Sequence, residues 1–143
     1  MQPSTPKTYF DHERLTVYKR SIDLVTWTTA LLADVPKSIS AWDQLDRAST
    51  SIPLNIAEGT GKFTVRDNCK YYDSARGSAL ECAACLDVLV SKRVIAPERA
   101  IPGKELLGPI VAMLVGLINS TAPNRINEEE GEYGAEGEGV SSS

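Results

Sequence analysis

Ser51, Asn55 and Glu58 stand four and three residues apart within the stretch SIPLNIAEG (51–59), a spacing that lines them along one strip of a helix. Arg47 extends that strip one turn back, and Ser78 and Glu81 supply a hydroxyl and a carboxylate from a second segment. Two carboxylates, Glu58 and Glu81, are the minimum for acid–base work or for half of a metal site. A carboxylate site in a bundle, however, wants further acids and Glu-x-x-His motifs, and the sole histidine, His12, has only Glu13 beside it. Asn55 both donates and accepts, so the six groups more readily satisfy one another as an interhelical hydrogen-bond network that fixes register. The expectation is a structural network of Arg47, Ser51, Asn55, Glu58, Ser78 and Glu81, with no catalytic residue, no metal and no cofactor. Pro53 removes a backbone donor inside the same helix, which predicts a kink there.

Cys82 and Cys85 spell Cys-Ala-Ala-Cys, a spacing used by zinc and by redox dithiols. Zinc would need two more ligands from Cys69 and His12, and a redox pair belongs at a helix N-terminus rather than mid-helix among alanines. Small apolar packing is the expected role. Lys62, Arg66 and Lys70 recur every four residues and, with Arg76, Lys92 and Arg93, are candidate phosphate contacts for nucleic acid. Asp67 and Asp73 interrupt them, so a solvated mixed-charge face is the competing reading. Gly59-Thr60-Gly61-Lys62 lacks the strand and the spacing of a phosphate-binding loop.

These residues need helices to carry them, and the sequence supplies four. Leu15, Tyr18, Ile22, Val25, Thr29 and Leu32 repeat at steps of three and four, predicting a first helix face that ends before Pro36. A second helix should start from Ser38 or Ser40 as N-cap, bury Leu45, Ala48, Ile52 and Asn55, and stop at Gly59 or Gly61. Thr64 should cap a third, which buries Tyr72, Ala75, Ala79, Cys82, Leu86 and Leu89 and runs to about Val94. Its small residues predict close packing on helix two. The fourth, with Pro97 in its first turn, should reach about Ser120 and break or bend near Gly108, where Pro109 follows. Four amphipathic helices with short loops predict an all-α, antiparallel up-down-up-down four-helix bundle over residues 9–122. Residues 1–8 read as a flexible leader and 123–143 as a disordered acidic tail of Glu, Gly and Ser.

The formal charge of −4 comes from that tail, which holds six of the 19 acidic residues. Up to Arg125 the balance is 15 basic to 13 acidic residues, a body charge of about +2. An odd number of cysteines argues against a secreted disulfide scaffold and for a reducing cytoplasm. No stretch approaches the ~18 uninterrupted apolar residues of a membrane span, so no membrane partner is expected. Trp27 and Trp42 are the candidate oligomer contacts, since tryptophan favours interfaces that exclude water.

LTVYKRSIDLV (15–25), the Pro36-Lys37 pair, SIPLNIAEGTGK (51–62) and GSALECAACLDVL (77–89) together resemble the bacterial four-helix-bundle proteins of 23S ribosomal RNA intervening sequences. The resemblance covers about residues 10–120. It implies a cytoplasmic bundle without established enzymatic activity, often a ring-shaped homopentamer. A related branch, the accessory protein of diversity-generating retroelements, engages a reverse transcriptase and binds nucleic acid through a basic surface. The expected function is a non-enzymatic, oligomeric binding or adaptor protein whose partners are its own copies and RNA or a nucleic-acid enzyme. The alternatives are a purely structural self-associating bundle and a carboxylate enzyme using Glu58 and Glu81.

Overall fold

Thr64 sets the start of the longest helix by its own chemistry. Its backbone is extended, and its hydroxyl accepts the Asp67 amide at 3.1 Å, satisfying one of the donors that a helix start leaves orphaned. A computed structural model describes residues 6–122, in which a short 3-10 helix (Asp11–Arg14) precedes α1 (Thr16–Leu32), α2 (Ser40–Thr60), α3 (Val65–Ser91) and α4 (Pro97–Thr121). Each helix packs on the next, and α4 returns to α1, giving an all-α, antiparallel up-down-up-down four-helix bundle. No strand is present among the described residues. The acidic tail and the first five residues of the expected leader lie outside them.

The predicted face of α3 is buried in full: Tyr72, Ala75, Ala79, Cys82, Leu86 and Leu89. That of α1 is not. Its buried residues are Val17, Ser21, Leu24, Thr28, Leu31 and Leu32, whereas Ile22 and Thr29 are exposed. Two large contacts set the rotation of this helix. The Trp42 indole donates to the Leu32 carbonyl at 2.9 Å, and Trp27 lies over Gly103 of α4 so closely that a Cβ there would sit 2.5 Å from the ring. Ser21 is tolerated inside because its hydroxyl donates to the Tyr18 carbonyl at 2.6 Å. Thr28 Oγ1 is buried with no hydrogen-bond partner.

The start of α2 also differs from expectation. Ile39 is the N-cap, without a side-chain cap, and Ser40 is already helical. No helix is interrupted at its prolines: α2 is continuous through Pro53, and α4 through Pro102 and Pro109. In α4 the expected break near Gly108 is absent. Pro102 and Pro109 deprive Glu98 and Glu105 of their helical donors, and all four residues are exposed, so the lost bonds fall on the side of α4 that is open to hydration. By length and composition α4 is apolar enough to cross a membrane, although no run of ~18 uninterrupted apolar residues occurs in it. In the bundle it buries Ala100, Gly103, Leu107, Ile110 and Leu114 against its neighbours.

At the end of α3, Arg93 takes a left-handed conformation (φ 59°), and the next amide, Val94, donates back to Leu89 at 2.9 Å. Glycine is the usual occupant of such a position.

Candidate functional site

The seam between α2 and α3, the most extensive in the bundle, contains part of the predicted polar network. Ser51 and Ser78 meet across it, hydroxyl to hydroxyl, at 2.5 Å. The Asn55 side-chain amide donates to the Ser51 carbonyl at 2.8 Å, within its own helix. Arg47, Glu58 and Glu81 are exposed, and the structure does not bring them into this cluster. Arg47 pairs instead with Asp43, one turn back, at 3.2 Å. Register explains the separation of the carboxylates. With Ser51 level with Ser78 and the helices antiparallel, Glu58 lies seven residues toward one end and Glu81 three residues toward the other, about 15 Å apart along the axis at ~1.5 Å per residue. That exceeds the ~5–9.5 Å at which two carboxyl groups share a hydrolytic reaction. The six-residue network therefore contracts to Ser51, Asn55 and Ser78.

The rest of the seam depends on residues that periodicity did not single out. Gly59 lets α3 come so close that a Cβ would meet Tyr71 Cβ at 2.9 Å and the Tyr72 ring at 3.0 Å. Thr60 and Tyr72 join hydroxyls at 2.9 Å. Asn68 donates its amide to the carbonyls of Gly59 and Lys62, at 2.6 and 3.0 Å, and so fastens the α2–α3 turn. An asparagine shortly after a Gly-x-Gly turn was the available signal for this clasp.

Cys82 and Cys85 are buried. Burial, with lesser contributions from Cys85 and Glu81, pushes the Cys82 thiol up to about 12, and burial and Glu81 also raise that of Cys85. Protonated thiols are poor nucleophiles and poor ligands, so this environment fits packing rather than zinc or redox work. Among the described residues no three His, Cys, Asp or Glu side chains gather into a metal-binding group.

The basic residues do not form one patch. Lys62, Arg66 and Lys70 sit at the α2–α3 turn, while Lys92 and Arg93 lie beyond the other end of α3, about 33 Å from Lys70 at the helical rise. Arg76 is engaged with Asp73 at 3.1 Å. Lys62 holds its ammonium 5.0 Å from the centre of the Tyr71 ring, and none of Lys62, Arg66 and Lys70 has an ion-pair partner among the described residues. The tryptophans are each half-buried. Trp27 fills the notch at Gly103, and Trp42 closes the α1–α2 corner with the Lys37 ammonium 5.4 Å over its ring. Both therefore spend apolar surface within one chain.

The 23S rRNA-intervening sequence protein family matches residues 13–116. Among solved structures, a protein of unknown function from the S23 ribosomal protein family of Bacteroides thetaiotaomicron is similar, with 22% sequence identity and a TM-score of 0.68. The similarity covers 72% of this chain and 98% of that one, and at this identity it speaks for the fold alone. No curated protein matches. With most of the bundle inside the match, the chain belongs to the 23S rRNA-intervening sequence protein family.

Proposed function

We propose that the chain is a non-enzymatic, self-associating bundle that serves as a binding or adaptor module for RNA or for an enzyme acting on nucleic acid, such as a reverse transcriptase. The outer face of α4 carries the self-association. Gly108, Ala112 and Gly116 are exposed at four-residue intervals, and a Cβ at either glycine would meet nothing within 4 Å. No charged residue follows Glu105 in the helix, and Val115 beside the stripe is 42% exposed. Small residues let a second helix approach at the short end of the ~8–10 Å spacing, and an uncharged surface gains by leaving water. The five-membered ring is carried over from the family resemblance.

Light scattering on the full chain at micromolar concentration tests this reading. An oligomer is expected, with Ala112→Glu giving a monomer of unchanged helical content. A monomeric wild-type chain overturns it.

The RNA side of the reading draws on the family description and on Lys62, Arg66 and Lys70, which present cations without ion-pair partners among the described residues. A purely structural bundle predicts no salt-dependent RNA binding at all. The carboxylate-enzyme alternative loses its geometry with the separation of Glu58 from Glu81.

A further inference from the structure

We infer that one end of the bundle, formed by the N-terminal segment and the α2–α3 turn, is a stacking platform for single-stranded RNA, with Phe63 as its principal aromatic contact and Tyr9 and Phe10 on the same end. This inference rests on the RNA-binding reading above and assigns it a surface, a substrate form and a mode of contact.

The topology places the three rings at the same end of the bundle. Trp42 fastens the start of α2 to the end of α1, so the start of α1 lies alongside the end of α2, where the Phe63 turn follows. The 3-10 helix preceding α1 packs on both α1 and α2, which puts Tyr9 and Phe10 at that end too. Tyr9, Phe10 and Phe63 are the exposed aromatic side chains of the described residues, so the bundle presents all of its exposed rings at one end.

Each ring is held by its backbone while its surface stays in water. Phe63 is fully exposed, yet its turn is tied by the Asn68 amide on one side and by the Thr64 cap on the other. The Glu13 carboxylate accepts the amides of Tyr9 and Phe10, each at 3.2 Å. Phe10 stacks one face on His12, with ring centres 5.9 Å apart and planes within 7°. With the backbone fixed in this way, only side-chain rotation is left to be lost when a flat partner stacks on a ring.

Charge decides what kind of flat partner. Lys62, Arg66 and Lys70 flank Phe63, and Lys7 and Arg14 accompany Tyr9 and Phe10. Asp11, Glu13, Glu58 and Asp67 share this end, so phosphate attraction alone is modest and base stacking has to supply much of the affinity. A duplex hides the faces of its bases and a single strand offers them, which selects the single strand. RNA as the occupant is taken from the RNA-binding reading above, on which this inference rests.

Fluorescence anisotropy with the full chain tests the inference, using a labelled unstructured 12-nucleotide RNA, its duplex and the DNA of the same sequence. Phe63→Ala should weaken single-strand binding about tenfold, as expected for one lost stacked base, without changing the salt dependence. Phe63→Tyr should retain binding. Lys70→Gln should instead reduce the logarithmic salt slope by about 0.7, the signature of one phosphate contact. Because the Phe63 ring touches no core, its variants should melt like the wild type. Salt-dependent RNA binding that Phe63→Ala leaves unchanged, or a preference for the duplex, overturns the platform and spares the RNA reading. Tighter binding of the DNA strand overturns RNA as the occupant, and no binding of any strand removes the RNA arm of the parent reading together with the platform, leaving self-association to its own test.

Discussion

Where α1 passes into α2 and α3 into α4, the polar and bulky groups are used on one another. Arg99 pairs with Asp34, Lys104 with Asp87, Trp42 with the Leu32 carbonyl, and Trp27 with the notch at Gly103. Cations without an ion partner among the described residues occur at both ends, Lys92 and Arg93 here and Lys62, Arg66 and Lys70 opposite, but only the opposite end turns three aromatic rings to water. The same fold thus has an end finished for stability and an end finished as a surface. Substitutions at the first should change unfolding and leave binding alone, while those on the second surface should do the reverse.

The largest effect is expected at Gly103. Alanine there would place its Cβ 2.5 Å from the Trp27 ring and 2.9 Å from Leu86 Cδ1, so α4 must move away from α1 or the indole must leave its rotamer. Overpacking of this kind costs about 3 kcal/mol. Urea unfolding of Gly103→Ala should show that loss, with RNA affinity in native buffer within twofold of wild type. A loss below about 1 kcal/mol would show that Trp27 repacks readily and does not set the rotation of α1.

Gly59 probes the place where the two ends cease to be independent. Its absent Cβ faces Tyr71 Cβ, an atom tied to the α3 backbone that no rotamer change can withdraw. Gly59→Ala should therefore cost about 2 kcal/mol and shift the first turns of α3, carrying Phe63 and Lys70 with them. Unfolding and RNA affinity should fall together. A loss of stability with intact affinity would separate the turn from the platform.

The helices and the α3 stripe were legible because Ala75, Ala79, Cys82, Leu86 and Leu89 leave α3 one apolar face. In α1 two adjacent stripes are of similar polarity, and the choice between them is made by Trp27 and Trp42 contacts with distant residues, which periodicity does not encode. Ser51 and Asn55 of SIPLNIAEG, and Ser78 opposite, were legible as seam residues from their spacing. The positions of Glu58 and Glu81 were not, because the offset between two antiparallel helices is set by the length of the turn and by the close approach at Gly59. Phe63 was not legible for a related reason: a ring in a turn reads as an ordinary apolar residue until the fold shows that nothing covers it.

The smallest expected effect concerns Arg93, where two readings of one residue diverge. Its charge suggests a phosphate contact, yet it lies at the end of the bundle where polar groups serve structure, in a left-handed conformation that glycine adopts without strain. Arg93→Gly relieves the steric clash of a side chain at positive φ but gives the unfolded chain more freedom, and the first term is the larger at about 1 kcal/mol or slightly more. The net should be a gain of a few tenths to about 1 kcal/mol in urea unfolding. RNA affinity and its salt slope should not move, although one positive charge is gone. A slope reduced by about 0.7 would instead place phosphate against Arg93 and extend RNA binding along α3 to the end that otherwise serves only to hold the helices together.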